Sequence, residues 1–534
     1  MVVMDITLNQ YIGIFLGILI PYLLYRQSKK NHNYWKERNI PFVKPYPFIG
    51  SFDEAFRKSM DVLDIERHNK FGRIYGAFEG TKPILIVAEP ELLRDIFTKD
   101  FHNFPARRII SAADPVLAKM LTVVQGEDWK RIRSIVSPTF SSGKLKRVFS
   151  IFQDCSKTLI QNFMKSYEHD ISIDVLKNYG AFTMDVIASS AFSTKIDSHN
   201  DPDNVFVQNA KRVFSQPIGI KFFLFLIFPS VMKKLKAQLF PADVLDFFKS
   251  TTTDIIKERK KTGQTRNDFL QLLIDSADEI SKEEKTDEST DDITQNYGEE
   301  SSNHSVFKNV MAKHLSMDEL TAQCLIFFLA GYHTTSVTLS FTSYLLALHQ
   351  DIQEKLFQEI SDILKKTKGQ LTYEAVQEMK YLDNVISESL RLYPALVRLE
   401  RTSAADVKLG DTGLIIPKGM LVGIPINAMH RDPTLFNNPE KFNPDRFSPE
   451  EREKIQPYSY LPFGAGPRNC VGMRFALLEI KVCLVYVVST FHINISSETK
   501  VPLEFDKGQG LLRPKPINLK FLRRDNCILN NRVL

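Results

Sequence analysis

The sequence predicts a mainly α-helical protein with a smaller β portion, arranged as a single large domain behind an N-terminal membrane anchor. Long segments repeat apolar residues with the period of an α-helix and are separated by short Pro/Gly breaks. The segments 81–89 and 413–425 are typical of strands, and the second has a Pro-Lys-Gly turn between two apolar runs. An uncharged apolar run covers residues 11–25. These three observations give the predicted architecture.

The composition is that of a globular chain with a large core. Of 534 residues, 43% are hydrophobic and 25% are charged. The net charge is +6, but no stretch interleaves Lys and Arg with aromatic residues, so we expect no nucleic-acid partner. The five cysteines form no C-x-x-C pair. A sparse, odd set of this kind argues against a disulfide scaffold and favours a reducing compartment.

Residues 1–30 are predicted to form a membrane anchor followed by a basic stop. Extended back to Ile6, the apolar run has about 20 residues, the length of a membrane-spanning helix. Basic residues cluster at 26–30, whereas only Asp5 precedes the run. The positive-inside rule then places the body of the protein in the cytoplasm. Small residues typical of a signal-peptide cleavage site are missing after Tyr25, which favours an uncleaved anchor.

The rest of the chain divides into a linker and one domain. Residues 31–50 contain repeated prolines, which indicates a stiff linker, either a plain spacer or a strut. Residues 51–534 are expected to form one large domain. Within it, 218–228 is apolar but too short to span a membrane, and is either a buried helix or a surface segment that dips into the headgroup region. The segment 278–302 has ten acidic and two basic side chains and is predicted to be a disordered loop.

The most informative segment is 463–472, Phe-Gly-Ala-Gly-Pro-Arg-Asn-Cys-Val-Gly. Its glycines allow turns and close approach to a flat ligand. Arg468 can meet an anionic group. A helix is predicted from Met473, so Cys470 lies just before a helix N-terminus, where backbone N–H groups favour the thiolate.

This segment resembles the cysteine-loop signature of the cytochrome P450 family, Phe-x-x-Gly-x-Arg-x-Cys-x-Gly, at every fixed position. The resemblance implies the cytochrome P450 fold and haem b, with Cys470 as the axial ligand of the iron and Phe463 and Arg468 beside the cofactor. Thiolate ligation pushes electron density onto iron and favours O–O cleavage, which is the chemical reason for a cysteine here.

Glu388 and Arg391 are three residues apart and share a helical face. In the family an equivalent pair is completed by an arginine from a Pro-x-Arg-Phe segment, which residues 444–447 match. The resemblance therefore implies a buried structural triad of Glu388, Arg391 and Arg446.

Trp129 and Arg133 are four residues apart, and both side chains donate hydrogen bonds, as recognition of a carboxylate requires. The resemblance identifies that carboxylate as a haem propionate. It adds Arg107, Arg401 and Arg468 as further propionate partners.

The segment 330–335, Ala-Gly-Tyr-His-Thr-Thr, lies within a helix predicted from about 316 to 350. Glycine and threonine are unfavourable in mid-helix, and a kinked or bulged helix over a ligand explains them. The resemblance makes this the oxygen-binding groove and gives Thr334 a role in proton delivery. His333 departs from the acidic residue usual in the family. Either it carries protons itself or it points away and only packs or hydrogen-bonds.

The resemblance covers nearly the whole chain and is strongest to the microsomal drug- and steroid-oxidising branch. It implies a monooxygenase that inserts one oxygen atom from dioxygen into a lipophilic substrate with NADPH-derived electrons. We expect an endoplasmic reticulum location, NADPH–cytochrome P450 reductase as electron donor and a b-type cytochrome as a second partner. Lys130 and Arg131 are either a basic docking face or an ordinary solvated helix face. By position, the candidate pocket residues are Thr122, Leu329, Ala330, Ala395 and Leu396.

Two other functions are compatible with the motifs. One is a haem-thiolate isomerase or dehydratase acting on lipid peroxides without a reductase, which Thr334 disfavours and His333 leaves open. The other is a non-catalytic haem-binding membrane protein.

Overall fold

Helices dominate the computed structural model of the protein, as the sequence predicts. The structure describes residues 8–54, 57–108, 116–192, 194–214, 224–225, 229–235, 237–238, 240–266, 268–279, 315–507 and 511–529. Within these residues the α-helices are α1 (Leu8–Ser28), α2 (Met60–Phe71), α3 (Pro90–Arg94), α4 (Gly126–Val136), α5 (Ser142–Glu168), α6 (Val175–Ala191), α7 (Val205–Phe214), α8 (Pro229–Lys234), α9 (Ala242–Thr262), α10 (Phe269–Glu279), α11 (Met317–Leu348), α12 (Gln350–Lys366), α13 (Tyr373–Glu378), α14 (Lys380–Leu392), α15 (Ile426–His430), α16 (Pro449–Arg452) and α17 (Met473–Thr490).

Helix α11 runs through the centre of the core and packs against α6, α14 and α17. It begins with a capping box, in which Ser316 Oγ accepts the Glu319 N–H and the Glu319 carboxylate accepts the Ser316 N–H. Its C-terminal half is buried on every side, which is typical of a core helix. By length and composition α11 is also apolar enough to cross a membrane. Since 56% of its most apolar window is buried, it is a core element.

The β portion forms three small sheets. The strands are β1 (Ile74–Glu79), β2 (Lys82–Val87), β3 (Ile173–Asp174), β4 (Leu399–Thr402), β5 (Val407–Lys408), β6 (Ile415–Ile416), β7 (Leu421–Ile424), β8 (Phe491–Ile495) and β9 (Asn518–Arg523). Their orders are β1-β2-β7-β4, β3-β9-β8 and β5-β6. Strand β2 lies parallel to β7, and β4 runs antiparallel to β7 with Arg401 opposite Val422.

Strands form in both segments where the sequence predicts them, but the two strands of 413–425 do not pair with each other as a hairpin. Strand β2 falls within 81–89, and the segment 413–425 contains β6 and β7. These two strands join different sheets, because β6 pairs with β5 whereas β7 lies between β2 and β4. Strand β7 is buried along most of its length, so its pairing is decided by apolar partners that are distant in sequence.

The N-terminal segments have two different environments. Large apolar side chains of α1 are exposed, with Phe15 at 63% and Ile18 at 69%. The proline-rich segment 31–50 instead packs against β1. Trp35 is fully buried, its Nε1 donates to the Ala77 carbonyl at 3.2 Å, and the Val43 N–H donates to the Gly76 carbonyl at 2.9 Å. This segment is therefore attached to the sheet and is not a free spacer.

Two segments that were interpreted from the sequence lie mostly outside the residues that the structure describes. Of the apolar segment 218–228, only 224–225 is described. The acidic segment 278–302 lies outside the described residues, except for its first two residues, which end α10.

Candidate functional site

The cysteine loop is a tight turn immediately before α17. The Cys470 N–H donates to the Phe463 carbonyl at 2.9 Å. Gly464 and Gly466 have φ angles of +73° and +71°, in the left-handed region that favours glycine. A Cβ on Gly466 would lie 2.0 Å from the Phe97 carbonyl oxygen. The glycine at 466 therefore allows the loop to pack directly on the backbone at Phe97.

The Cys470 side chain lies deep in the fold and yet keeps accessible surface, so it borders an internal space. Burial raises the pKa of the thiol, while the Gly472 N–H and the charges of Arg133 and Arg107 lower it. The Gly472 N–H thus favours the thiolate, as the position before the helix predicts, but burial outweighs it and the pKa of the free thiol is raised. A bound metal ion deprotonates a coordinating thiol outright, which overcomes this shift.

Three predicted propionate partners, Arg107, Arg401 and Arg468, come together beside the loop. Arg401 and Arg468 are only 1% and 3% exposed. Their side chains donate hydrogen bonds to backbone carbonyls: Arg107 to that of Arg468 at 2.7 Å, Arg468 to that of Val124 at 2.9 Å and Arg401 to that of Glu400 at 2.9 Å. The Nε atoms of Arg401 and Arg468 have no hydrogen-bond partner.

Burying these cations together is costly for the protein alone. Burial, and then the charges of Arg107 and Arg468, hold the pKa of Arg401 well below its usual range. Burial, Arg107 and Arg133 lower the pKa of Arg468 to about 9. An anion in contact with the unpartnered Nε–H groups would remove both the repulsion and the unsatisfied donors. Haem b, with two propionates and an iron, fits this combination of arginines and cysteine.

Trp129 and Arg133 project from α4 towards the same loop. Arg133 donates to the Asn469 carbonyl at 3.1 Å and to Asn469 Oδ1 at 2.7 Å. The Arg468 guanidinium lies 4.4 Å from the centre of the Trp129 ring. Arg133 thus fixes the residue next to Cys470, and Trp129 supports one of the clustered arginines.

On α11, Ala330 is exposed although the helix runs through the core. One turn later, Thr334 Oγ donates to the Ala330 carbonyl at 2.6 Å. The neighbouring Thr335 is 2% exposed and its Oγ has no partner. The helix has no 3₁₀ or π turn from Met317 to Leu348, so the expected bulge is not found. Only the Thr334 hydroxyl of this pair bonds back to the helix, one turn before it.

The other predicted pocket residues are also accessible. Thr122 is exposed, Leu396 is 38% exposed, and Leu329 and Ala395 are half-buried. The turn that contains Thr122 is joined to α11, because the N–H of Leu121 donates to Gln323 Oε1 at 3.0 Å. The structure thus brings this turn and α11 together.

His333 is directed to a different element. Its Nε2 lies 3.1 Å from the carbonyl oxygen of Leu512, in the C-terminal segment. The Leu512 N–H in turn donates to the Ala395 carbonyl at 3.2 Å. Burial and the charge of Arg513 lower the pKa of His333, and the bond to Leu512 raises it less. The pKa of His333 is therefore below its usual value, and its side chain is hydrogen-bonded to backbone.

Comparison with known proteins matches the family model described as "Cytochrome P450" over residues 40–521. The chain belongs to the cytochrome P450 family. Its relatives include cytochrome P450 3A6 of Oryctolagus cuniculus, 39% identical over 95% of this chain and 96% of that protein. Cytochrome P450 3A5 of Homo sapiens is 38% identical over 95% of both chains, and cytochrome P450 3A27 of Oncorhynchus mykiss is 39% identical over 93% of both.

Family membership confirms several predictions from the sequence. This P450 is a haem-thiolate monooxygenase with a mainly α fold, and its cofactor is haem b with a cysteine thiolate as axial ligand. It works with a reductase as redox partner and on lipophilic substrates. Its relatives indicate a protein of the endoplasmic reticulum membrane.

The P450 also assembles the predicted triad. Glu388 and Arg391 are fully buried, and Arg391 donates to the two carboxylate oxygens at 2.7 and 2.9 Å. Arg446 approaches Glu388 at 3.4 Å, and the Asn443 N–H donates to the same carboxylate at 3.0 Å. Arg391 also donates to the His430 carbonyl at 2.7 Å. The triad therefore holds α14 against the segment that leads to the cysteine loop.

The two candidate docking cations of the P450 are both ion-paired. Arg131 is hydrogen-bonded to the carboxylate of Glu319, the capping residue of α11, and is mostly buried. Lys130 pairs with Glu127 at 2.8 Å. Arg131 therefore joins α4 to α11, and Lys130 is the more accessible cation of the two.

Sequence reasoning missed three residues of this site. Asn469 receives Arg133, Thr335 has a buried unpartnered hydroxyl, and Leu512 receives His333. Asn469 is adjacent to Cys470 in sequence, which is a usable indication. No sequence signal points to Leu512, because its role comes from a backbone carbonyl that the fold brings close to His333.

Proposed function

We propose that Cys470 is the axial thiolate ligand of haem b and that this P450 oxidises lipophilic substrates with electrons from NADPH–cytochrome P450 reductase. The observation that carries the proposal is the arginine cluster beside Cys470: two of its buried Nε–H groups lack an acceptor, and its positive charges, held close together, favour an anion. When bound, haem b supplies dioxygen binding and activation. The chain itself is proposed to orient the bound group and to supply protons, while the reductase supplies the electrons.

On the cysteine side, Arg107, Arg401 and Arg468 would neutralise the propionates. Trp129 supports Arg468 by its ring, and Arg133 holds the loop through Asn469. Phe463 anchors the Cys470 N–H through its carbonyl. These contacts fix the direction of the sulfur. The Glu388–Arg391–Arg446 triad has a structural role behind the loop.

On the opposite side, Thr334 is proposed to hold and pass protons to the oxygen-binding position. Its hydroxyl donates to the Ala330 carbonyl, which leaves the Oγ lone pairs free to accept a proton-bearing group. Proton transfer by His333 stays a prediction. The pocket wall is proposed to be largely apolar, as suits a substrate that partitions from a membrane. Its residues are Thr122, Leu329, Ala330, Ala395 and Leu396.

The membrane topology completes the proposal. Residues 1–30, with the exposed apolar side chains of α1, anchor the chain, and the catalytic domain 51–534 faces the cytoplasm. Residues 31–50 connect them. A reductase in the same membrane then donates electrons, with a b-type cytochrome as second donor.

The test is a CO-difference spectrum of the full chain in membranes, followed by NADPH-dependent turnover of steroids, fatty acids and xenobiotics with the reductase. We expect a thiolate-type band that is lost in Cys470→His with haem retained, since an imidazole replaces the sulfur. Cys527→Ser is the matched control and should keep the band. A thiolate-type band in Cys470→His, or none in haem-replete wild type, would overturn the assignment.

A further inference from the structure

One hydrogen bond joins α11 to the C-terminal segment at the pocket wall. A carbonyl oxygen only accepts, so the 3.1 Å contact between His333 Nε2 and the Leu512 oxygen requires the proton on Nε2. The same residue, Leu512, uses its N–H to donate to Ala395 at 3.2 Å. Leu396 and Leu511 form an isolated antiparallel bridge beside it. Leu512 is thereby held between α11 on one side and 395–396 on the other.

The position of this link is close to the reacting side of the helix. Ala330 and Thr334 lie three residues before and one residue after His333 on α11, and Ala330 borders accessible space within the core. Ala395 and Leu396 are proposed pocket residues, and Leu396 is 38% exposed. A backbone segment fixed between these two groups determines how far apart they stand.

We propose that His333 is a positioning residue that ties segment 511–513 to α11 and so sets the width of the substrate pocket at Ala395 and Leu396. This inference rests on the proposed function for its meaning, but the tie itself is a property of the folded chain. His333, which stands where the family usually has an acidic residue, would thus control the shape of the pocket and the selection of substrate. The Nε2 proton is engaged by Leu512, whereas the neighbouring Thr334 hydroxyl bonds within α11.

The tie is tested by hydrogen exchange of the haem-loaded, ferric protein, measured without reductase or substrate. In His333→Leu the donor is lost, and we expect peptides covering 511–519 to exchange about fivefold faster, the effect of one hydrogen bond on local opening. In His333→Gln the side-chain amide donates in its place, so exchange should return to within about twofold of wild type. Thr334→Val is the matched control on α11 and should leave these peptides unchanged.

A second measurement follows substrate selection. We expect His333→Leu to change KM for bulky substrates and the ratio of product isomers by roughly threefold or more, with His333→Gln restoring both. If His333→Leu does not fold, His333→Asn provides the same test. The asparagine side chain is one methylene shorter than that of glutamine, so its amide does not reach the Leu512 carbonyl. Equal exchange in wild type, the Gln variant and the donor-lacking variant overturns the tie. A missing thiolate-type band in wild type would instead overturn the proposed function, and the two failures are therefore distinguishable.

Discussion

Replacing Gly466 by alanine should abolish the haem–thiolate site, although it adds only one methyl group. At φ +71°, alanine costs about 1–2 kcal/mol for the left-handed conformation alone. The added Cβ would also lie 2.0 Å from the Phe97 oxygen and 2.8 Å from its carbonyl carbon. Normal contacts between such atoms are roughly 3.5 Å, so either the cysteine loop or the backbone at Phe97 has to move by more than about 1 Å.

That displacement occurs four residues before Cys470, in a loop held by the Cys470–Phe463 hydrogen bond. Overpacking of this kind costs typically about 1–3 kcal/mol beyond the backbone term, and it misdirects the sulfur. We therefore expect Gly466→Ala to lose the thiolate-type CO band and at least half of its bound haem. The measurement is the CO-difference spectrum normalised to total protein.

Gly413 offers the matched control. Its φ is +75°, and a Cβ added there meets nothing within 4 Å. Gly413→Ala therefore carries the same backbone cost without the steric conflict, and should keep a normal band with a slightly lower thermal midpoint. If both variants retain the band equally, close packing of Gly466 on Phe97 does not shape the site.

Three further predictions concern other parts of the molecule. Glu388→Ala leaves the fully buried Arg391 without its carboxylate and should destabilise the protein by about 3–5 kcal/mol. Lys355→Ala breaks the exposed Lys355–Asp445 pair and should cost at most about 1 kcal/mol. Similar thermal-inactivation midpoints for the two variants would contradict this expectation. Burial raises the pKa of Asp185 from 3.8 to about 7. Between these two values the unfolded chain ionises this carboxyl and the folded chain does not, so the free energy of unfolding falls as the pH rises from about 4 to about 7. Asp185→Asn keeps the acceptor for the Ser198 N–H and should therefore be more stabilising at pH 8 than at pH 5, a difference that a pH-independent midpoint shift would disprove. Thr334→Val removes the hydroxyl and should lower product formed per NADPH on the order of tenfold or more, with peroxide released instead, while Thr334→Ser stays near wild type.

The cysteine loop was predictable because its information is local. Glycines at 464 and 466, Arg468 and Cys470 stand within a few residues of one another, and left-handed turns restrict those positions to glycine. Helices α4, α14 and α17 and strand β2 were likewise predictable from periodicity. The clustering of Arg107 with Arg401 and Arg468 was obtained from family resemblance, because no spacing rule relates positions so far apart.

Other features had no local indication. The separation of β6 and β7 into different sheets depends on burial between β2 and β4. The linker 31–50 looks like a spacer until Trp35 is seen against Gly76, where an added Cβ would lie 2.3 Å from the indole ring. The pKa of the Cys470 thiol rises although the Gly472 N–H lowers it as predicted, because burial is a property of the whole fold and not of the turn.

Helical periodicity and a short glycine-rich loop were enough to predict the fold class, the family and the type of ligand, because these signals are local in the chain. Where the charges and hydrogen-bond donors lie became visible only in the folded chain. Folding brings Arg107, Arg401 and Arg468 together, pairs Arg131 with Glu319 and directs His333 to the Leu512 carbonyl. The physical reason is that desolvation and hydrogen bonding act between groups that are close in space, and the distance between them is set only when the chain has folded.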